Sequence, residues 1–264
     1  MATRILVKIG GSLLNTESHQ KVIARQIAEL IQEDTQVIVV HGGGKHLTSL
    51  LNRLDIPSHF HEGLRLTSAE ALEAALMVLA GLVNKRLVAA FVSVGSRAVG
   101  VCGGDGGAIS AEKFRHTAVD YGFVGSVSKI RPDLIELLLR NDFLPVIACI
   151  ALGADHHYYN VNADQMAAAC AVALQADQLV FLTDVDGVLN EHKAVIPSIS
   201  PRKINRLMAR KIVSGGMLPK LKACLTALEG GVSGINILNG SEEGCLIRLI
   251  AHGEPLGTVI RTEA

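Results

Sequence analysis

Aromatic side chains and excess charge of either sign are both scarce in this sequence. Aromatic residues make up 3% of the 264 residues, Trp is absent, and Lys+Arg and Asp+Glu both number 25. Without excess positive charge the chain offers no general basic surface to a nucleic-acid backbone, so we expect no nucleic-acid partner. Hydrophobic residues still make up 49%. The core must therefore consist mainly of Ala, Leu, Val and Ile, which suits a buried parallel sheet flanked by helices.

Cysteine pairs and long apolar runs are also missing. The sequence has five scattered cysteines, none in a C-x-x-C pair: Cys102, Cys149, Cys170, Cys224 and Cys245. An odd, scattered set is typical of reduced thiols and not of a disulfide framework. The longest apolar stretch, Ala74 to Val83, is shorter than a membrane-spanning helix, and the N-terminus has no signal-peptide pattern. We therefore expect a soluble cytoplasmic protein without a membrane partner.

Short apolar runs that are rich in β-branched residues alternate with helical segments along the whole chain. The predicted strands are Ile5–Ile9, Val37–Val40, Ala98–Cys102, Leu144–Ile150, Gln178–Leu182 and Ile235–Leu238. The predicted helices between them are His19–Glu33, Lys45–Leu54, Ser68–Ser93, Pro132–Asn141, Ala163–Gln175 and Leu218–Glu229. This alternation predicts βαβ units and hence an α/β fold with a mainly parallel sheet covered on both faces.

Two polar segments interrupt the alternation. Arg115–Ile130 and Asp155–Asn162 contain glycine or aromatic residues, and we interpret both as surface hairpins or loops beside a site. No low-complexity linker and no repeat of fixed period divides the chain. We expect two lobes that share one sheet and join near residues 175–180. Residues 1–177 would form the N-terminal lobe and residues 178–264 the C-terminal lobe.

Glycine is concentrated directly after predicted strands. The four clusters are Gly10-Gly11, Gly42–Gly44, Gly103–Gly107 and Gly215-Gly216. Any one of them could be an ordinary turn. Together they favour binding of phosphate or carboxylate, because ligands of open α/β sheets lie beyond the carboxyl ends of the strands. Neither common phosphate motif fits, since His46 stands where Walker A requires Ser or Thr and no cluster matches G-x-G-x-x-G.

Several polar groups stand where an apolar residue or a simple cap would suffice. Lys8 lies inside the first predicted strand, where a lysine either reaches out to solvent or directs its ammonium at a bound anion. Asn160, Asn162 and Asp164 precede a predicted helix. Asn162 or Asp164 could serve only as the N-cap, whereas Asn160 lies outside that explanation. We interpret this junction as part of a site.

Three further segments could bind an anion or a nucleotide. Thr183–Val188 follows a predicted strand and is either a tight turn or a nucleotide-binding loop. Lys220 stands near the start of the second turn of the predicted helix that follows Gly215-Gly216, and its side chain would point back over these glycines. Arg65 either faces solvent or binds a carboxylate with its planar guanidinium. The ten histidines lack metal-site spacing, and we interpret them as structural or surface residues.

Six motifs give the sequence a resemblance to a known family. They are K-I-G-G-S (Lys8–Ser12), H-G-G-G (His41–Gly44), G-L-R-L-T (Gly63–Thr67), N-V-N-A-D-Q (Asn160–Gln165), L-T-D-V-D-G-V (Leu182–Val188) and G-G-M-x-x-K (Gly215–Lys220). In type and order they are similar to those of acetylglutamate kinases in the amino acid kinase family, over nearly the whole chain. The resemblance implies a three-layer αβα sandwich around one mainly parallel sheet of about eight strands.

The resemblance also implies what the lobes and residues do. The N-terminal lobe would bind N-acetyl-L-glutamate and the C-terminal lobe ATP. The implied catalytic residues are Lys8, Lys220 and Asp164. The implied substrate-binding residues are Gly11, Gly43, Gly44, Arg65 and Asn160, and the implied nucleotide-binding residues are Asp184, Val185, Asp186, Gly187, Val188, Leu189, Ile212, Val213 and Ser214. Mg²⁺ would arrive on the ATP phosphates, without a metal site of protein ligands.

The implied chemistry agrees with the side chains available. The acceptor would be a side-chain carboxylate with a pKa of about 4.3, already ionised at neutral pH. The transfer then needs alignment and charge neutralisation and no general base. Two alternatives stay open: a kinase of carrier-linked aminoadipate in lysine biosynthesis, and a non-catalytic amino-acid-sensing domain on the same fold. Arg65 with the Asn160–Asp164 run favours acetylglutamate, and a sensor would need no phosphoryl-transfer lysines.

Two expectations concern assembly. The apolar helix Ala69–Val94 is long enough for a homodimer interface, although it could equally be a core helix. Arginine-inhibited relatives carry an N-terminal helix ahead of the first strand, whereas only Met1, Ala2 and Thr3 precede it here. We therefore expect an arginine-insensitive homodimer.

Overall fold

The structure of the chain, a computed structural model, describes residues 3–261. Residues 1–2, ahead of the first predicted strand, and residues 262–264, at the end of the predicted C-terminal lobe, lie outside this range. The strands are β1 (Arg4–Ile9), β2 (Gln36–His41), β3 (Phe60–His61), β4 (Leu64–Arg65), β5 (Ala98–Val101), β6 (Ile109–Lys113), β7 (Val124–Ile130), β8 (Leu144–Ala148), β9 (Ile150–Gly153), β10 (Tyr158–Val161), β11 (Gln178–Thr183), β12 (Ser198–Ile199), β13 (Gly234–Asn239) and β14 (Thr258–Ile260). The helices are α1 (Glu17–Gln32), α2 (Gly44–Arg53), α3 (Ala69–Val92), α4 (Asp133–Arg140), α5 (Ala163–Ala173), α6 (Pro201–Ala209), α7 (Met217–Glu229) and α8 (Cys245–Ile250).

The main sheet has eight strands in the order β12-β14-β13-β11-β1-β2-β8-β5. The six strands from β13 to β5 run parallel, and β14 pairs with β13 in the antiparallel sense. Every residue of β1 after Arg4 is buried, as expected for a central parallel strand covered by helices on both faces. The predicted α/β fold with a mainly parallel eight-stranded sheet is confirmed. The predicted lobes meet in this sheet, where β1 pairs with β11.

Side-chain caps fix the start of several helices. Ser200 is the N-cap of α6 and accepts a hydrogen bond from the backbone N–H of Lys203. Pro201 follows it at the first helical position, where proline is common because its missing N–H is not needed. Helix α3 is capped by Ser68, whose hydroxyl accepts from the N–H of Ala71. Thr67 is instead buried and donates to the carbonyl of Arg65. The Thr67 hydroxyl therefore does not cap the helix and instead contacts Arg65 and Asn160, two predicted substrate-binding residues.

Helix α3 contains a π-helical segment, Leu76–Val83. By length and composition alone, α3 is long and apolar enough to cross a membrane, and 39% of its most apolar window is buried in the fold. Val78, Leu79 and Val83 belong to the hydrophobic core. π-helical turns often occur at functional sites, and Leu79 and Val83 of this segment pack against Gly43, which follows β2.

A second, four-stranded sheet closes on itself with the strand order β10-β7-β6-β9. The hairpin interpretation of Arg115–Ile130 and Asp155–Asn162 is confirmed for the strands they contain. Val124–Ile130 is β7, which forms an antiparallel hairpin with β6, and Tyr158–Val161 is β10, which forms one with β9. These short strands are half polar, so they lack the apolar runs of the main sheet. A separate hairpin, β3 with β4, carries Arg65.

Candidate active site

Two lysines and one aspartate meet near the carboxyl end of the main sheet. The Nζ atom of Lys8 lies 2.8 Å, and that of Lys220 2.9 Å, from the same oxygen, Oδ1 of Asp164. All three side chains are buried, with at most 7% of each residue exposed. The structure thus brings together the three predicted catalytic residues, which come from β1, α7 and α5.

Local sequence explains why these side chains can meet. Lys8 lies in register between Val40 of β2 and Phe181 of β11, so its side chain leaves the middle of the sheet. A Cβ atom at Gly10 would clash with the Lys8 ammonium, so a side chain at this position would displace the ammonium from Asp164. Asn162 caps α5 by accepting from the N–H groups of Asp164 and Gln165. Asp164 therefore sits in the first helical turn, where the helix dipole favours a negative charge.

The electrostatics keep Asp164 ionised. Burial by itself would raise the pKa of Asp164, but the charges of Lys8 and Lys220 and their hydrogen bonds outweigh it and lower the pKa to about 2. Burial, followed by the like charge of Lys8, lowers the pKa of Lys220 below its ordinary value. Lys220 also lies 4.8 Å from the ring centroid of Phe181. Two ammonium groups held by one carboxylate carry a net positive charge that suits a phosphoryl group.

A cavity of about 200 Å³ opens beside this trio. Its lining includes all of the predicted substrate-binding residues: Gly11, Gly43, Gly44, Arg65 and Asn160. Lys8 lines it as well, so the cavity joins the predicted amino-acid site to the predicted catalytic lysine. The cavity lies at the carboxyl ends of β1 and β2, where open parallel sheets bind their ligands.

Arg65 is a buried cation with neutral partners. Its guanidinium donates to Thr48 Oγ1 at 2.8 Å, to the carbonyl of Gly44 at 3.1 Å and to the hydroxyl of Ser58. The guanidinium also lies 4.5 Å from the centroid of the Phe60 ring. No carboxylate pairs with it within residues 3–261, and burial lowers its pKa. A bound carboxylate would therefore supply the missing counter-ion.

The remaining predicted substrate residues offer hydrogen-bond donors. Asn160 donates from Nδ2 to Thr67 Oγ1 at 3.3 Å. Gly43 and Gly44 stand at the N-terminus of α2, and in the described part of the chain their N–H groups donate to no protein acceptor. Free N–H groups at a helix N-terminus form a ready anion site.

The predicted nucleotide residues come from two segments: Asp184–Leu189 directly follow β11, and Ile212, Val213 and Ser214 lie between α6 and α7. Asp184, Asp186 and Ser214 are exposed, whereas Val188 and Val213 are buried. The fully buried Val188 donates its N–H to Thr258 Oγ1 at 2.8 Å. This backbone hydrogen bond fixes the loop, and the Val188 side chain belongs to the hydrophobic core.

The remaining residues of the loop Asp184–Leu189 are held in part by contacts with neighbouring segments. Asp186 accepts a hydrogen bond from Asn239 Nδ2 at 2.7 Å. Val185 and Leu189 are each 38% exposed, and Gly187 lies against Thr258. A Cβ atom at Gly11 would lie 3.1 Å from Asp184, so the two predicted halves of the site adjoin at that point.

Sequence reasoning missed several residues of the site. Gly10 was assigned to a glycine cluster, but its specific role is to leave room for Lys8. Phe60 was not singled out, although it stacks on Arg65 and lines the cavity. Gly63 has φ +80°, and a Cβ there would lie 3.5 Å from Pro219 of α7. The turn pair Glu62-Gly63 was the available signal for a hairpin over the site.

Potential metal-binding side chains are scattered in the described part of the chain. Among residues 3–261 no three or more His, Cys, Asp or Glu side chains are arranged to bind one. All five cysteines are free. Burial raises the pKa of the Cys149 thiol, which lines the cavity, to about 11.

Comparisons with known proteins agree with this geometry. The model of the amino acid kinase family matches residues 3–239. An acetylglutamate kinase of Acidobacterium capsulatum is 48% identical over 235 residues, covering 89% of this chain and 90% of that protein. An acetylglutamate kinase of Sinorhizobium fredii is 41% identical and covers 97% of this chain and 90% of that protein.

Solved structures give the same fold. A Streptococcus mutans protein is 27% identical with a TM-score of 0.85, covering 98% of this chain and 99% of that chain. The N-acetylglutamate synthase of Neisseria gonorrhoeae, solved with coenzyme A and N-acetyl-glutamate, is 25% identical with a TM-score of 0.88. It covers 99% of this chain, which spans 60% of that longer protein. On the match of the family model and of these relatives, the chain belongs to the amino acid kinase family.

Proposed function

We propose that this protein is an acetylglutamate kinase, which transfers the γ-phosphoryl group of ATP to the side-chain carboxylate of N-acetyl-L-glutamate. The observation that carries the proposal is a buried Lys8–Asp164–Lys220 trio that borders a cavity containing an unpaired arginine. Relatives named acetylglutamate kinase that are 41% to 48% identical over most of the chain support the same substrate.

The reaction needs alignment more than proton transfer. The acceptor carboxylate is ionised at neutral pH, so one of its oxygens attacks phosphorus directly and ADP leaves. Lys8 and Lys220 neutralise charge that builds up on the transferring phosphoryl oxygens. Asp164 orients both ammonium groups, and Mg²⁺ on the nucleotide phosphates adds further positive charge.

The acceptor is held on the Arg65 side of the cavity. Arg65 pairs with the α-carboxylate, which becomes its counter-ion, and Asn160 donates to the bound amino acid. The N–H groups of Gly43 and Gly44 hold the acceptor carboxylate where it meets the transferring phosphoryl group, which the N–H of Gly11 also faces. Such fixed donors cost little reorganisation during the reaction.

The nucleotide binds to residues of the second lobe. ATP contacts the loop Asp184–Leu189, which follows β11, and the segment 212–214, which lies between α6 and α7. Residues 1–177 then act as the amino-acid lobe and residues 178–264 as the nucleotide lobe. Their shared sheet keeps the two substrates in line.

Assembly and location are part of the same proposal. Met77, Leu82 and Val92 on α3 are 63%, 44% and 55% exposed, and a second copy of the chain would cover them in a homodimer. A cytoplasmic location would suit a biosynthetic enzyme with free thiols.

A substrate panel tests the proposal. ADP release is followed with N-acetyl-L-glutamate, L-glutamate, N-acetyl-L-aspartate and N-acetyl-aminoadipate as acceptors, with hydroxylamine present to trap any acylphosphate as a hydroxamate. We expect one hydroxamate per ADP, with a clear preference for N-acetyl-L-glutamate.

Other outcomes identify the alternatives. Preference for the aminoadipate derivative would point to the lysine-pathway kinase. Calorimetric binding of N-acetyl-L-glutamate without ADP release would indicate a sensing domain.

A further inference from the structure

Two fully buried polar side chains lie behind the cavity and are not used by the proposed reaction. His41 ends β2, directly before Gly42–Gly44, and Asn84 follows the π-helical segment of α3. Both are 0% exposed. Buried polar groups cost stability unless their hydrogen bonds are made, so the partners of this pair indicate its purpose.

The partners fix every hydrogen position in the pair. His41 Nδ1 lies 2.7 Å from the carbonyl oxygen of Gly42, which can only accept, so Nδ1 must carry the proton. Asn84 Nδ2 lies 2.9 Å from the carbonyl oxygen of Val146 and must be the amide nitrogen for the same reason. Its second hydrogen then points to His41 Nε2 at 3.1 Å, which accepts. The imidazole is therefore neutral, with its proton on Nδ1.

The surroundings also favour the neutral ring. Burial lowers the pKa of His41 to about 4, against an opposing effect of its bond to Gly42. The positive charges that face it, Lys8 from β1 and Lys85 from α3, lower this pKa further. His41 keeps one hydrogen-bond pattern throughout the neutral pH range.

The hydrogen bond from His41 to the Gly42 carbonyl also sets the direction of the next N–H group, that of Gly43. No cis peptide bond occurs in the described part of the chain, so the carbonyl of Gly42 and the N–H of Gly43 point in opposite directions. Because His41 holds the carbonyl toward the buried side, the N–H of Gly43 is directed away from the ring, to the cavity that Gly43 lines. Glycine peptides flip easily, and a flipped peptide would present a carbonyl to an anionic substrate.

Close packing leaves the pair no alternative arrangement. A Cβ atom at Gly43 (φ +151°) would lie 2.8 Å from Leu79 of the π-helical segment. A Cβ atom at Gly100 would nearly coincide with Asn84 Oδ1, a buried acceptor without a hydrogen-bond partner in residues 3–261. An unpartnered buried oxygen is unfavourable, so the amide is held by its other contacts.

We propose that His41 and Asn84 are positioning residues, which lock the Gly42–Gly43 peptide so that its N–H faces the reacting anions. This inference rests on the proposed function, since it assigns the locked N–H to the phosphoryl-transfer site. It assigns no direct contact with substrate to either side chain.

The tautomer is measured first, without reference to activity. Long-range ¹H–¹⁵N NMR of the wild-type protein, with the His41 signal identified by its loss in His41→Gln, should show a neutral ring protonated on Nδ1 between pH 6 and pH 8. A ring protonated on Nε2, or an imidazolium at pH 6, would overturn the proposal.

A pair of variants tests the effect on turnover. In His41→Asn the amide nitrogen is as many bonds from the backbone as Nδ1, so it can still donate to Gly42. In His41→Gln the amide reaches the Nε2 position instead. We expect His41→Gln to lose about 10²-fold in kcat, the effect of one lost oxyanion-type donor, with KM for both substrates almost unchanged. His41→Asn should recover most of this loss.

Asn84→Leu keeps the volume but removes the donor to Nε2. We expect a mixture of both His41 tautomers and a smaller loss of kcat than in His41→Gln. Gln26→Leu is the matched control, because Gln26 is a buried amide that accepts from Leu246 N–H far from the cavity. It should lower stability and leave kcat unchanged.

The outcomes separate the two proposals. Equal kcat losses in His41→Asn and His41→Gln, or unchanged kcat in both, would contradict the positioning role. If one His41 variant fails to fold, the other still identifies the His41 signal, and the wild-type NMR spectrum decides. Wild-type protein that has the Nδ1 tautomer but does not phosphorylate N-acetyl-L-glutamate would count against the proposed function alone.

Discussion

The amino-acid half and the nucleotide half of the candidate site differ in how far they are built before any ligand binds. In the amino-acid half, the Arg65 guanidinium is buried, has three hydrogen-bond acceptors and stacks on Phe60. In the nucleotide half, Asp184 and Ser214 are exposed and Val185 and Leu189 are each 38% exposed. The amino-acid half is therefore held in place by buried contacts, whereas the nucleotide half consists largely of exposed loop residues.

This difference has an energetic meaning. Side chains that are ordered in advance lose little entropy on binding, whereas exposed loop residues must be ordered by the ligand. Substitutions in the buried half should therefore have large, specific effects, because each leaves an unpaired buried group. Substitutions in the loop should have smaller effects that are confined to the nucleotide.

The largest effect is expected for Lys8→Arg. The Lys8 ammonium lies so close to Gly10 that even a Cβ atom there would clash with it. The wider guanidinium of arginine therefore cannot fit, and it cannot reproduce a compact ammonium at Asp164. We expect kcat to fall by about 10²- to 10³-fold, as measured in the ADP-release assay with circular dichroism to check folding. The matched control is Lys222→Arg, an exposed lysine on α7, which should behave as wild type. Near-normal kcat in folded Lys8→Arg would remove Lys8 from the mechanism.

Arg65→Ala comes next and should affect one substrate. Loss of a buried charge-assisted pair should raise KM for N-acetyl-L-glutamate by about 30-fold, which corresponds to about 2 kcal/mol. KM for ATP should hardly change. Arg97→Ala provides the control, since Arg97 also stacks on an aromatic ring, Phe143, but near the amino ends of the strands. Equal rises in both KM values would place Arg65 outside the amino-acid half.

The lowered pKa of Asp164 makes the unfolding free energy depend on pH. Its pKa in the folded protein is about 2, below the value of about 3.9 in an unfolded chain. A lowered carboxylate pKa stabilises the fold above the unfolded pKa, and this contribution is lost as the pH falls toward 2. The gap in unfolding free energy between wild type and Asp164→Asn should therefore narrow by about 2 kcal/mol between pH 6 and pH 2.5. Urea titrations at both pH values measure it, and a constant gap would contradict the ionised trio.

The smallest effect is expected in the nucleotide half. Asp186→Ala removes an exposed hydrogen bond with Asn239, and such bonds contribute about 1 kcal/mol. We expect KM for ATP to rise by about fivefold, with KM for N-acetyl-L-glutamate unchanged. A change as large as that in Arg65→Ala would show that the nucleotide half is as preorganised as its neighbour.

Sequence reasoning succeeded where a residue type contradicted its local pattern. Lys8 was identified because nothing local requires a lysine in an apolar strand. Asp164 was identified because a single N-cap does not account for the whole polar junction Asn160–Asp164, and the structure brings the lysine and the aspartate together. The six predicted strands all overlap strands of the main sheet for the opposite reason, since buried parallel strands are largely apolar. Leu144–Ile150, predicted as one strand, spans β8 and the first residue of β9.

Other features depend on contacts that no local pattern encodes. The strands β7 and β10 are short and half polar, so only their pairing with β6 and β9 identifies them. His41 was grouped with structural or surface histidines. It is indeed buried, but its hydrogen bond to Asn84 joins residues 43 positions apart. Spacing alone could not predict that pair.

The central claim is that the transfer depends on fixed charges and needs no general base. Its most direct test is the rate of a single turnover, measured by rapid quench with enzyme in excess and MgATP saturating, between pH 6 and pH 7.5. The acceptor carboxylate, with a pKa of about 4.3, is ionised throughout this range. The pKa of Asp164 is about 2 and that of His41 about 4, so neither group changes charge there. The account predicts a constant rate, and a rate that falls about tenfold per pH unit toward pH 6 would reveal a required base and contradict it.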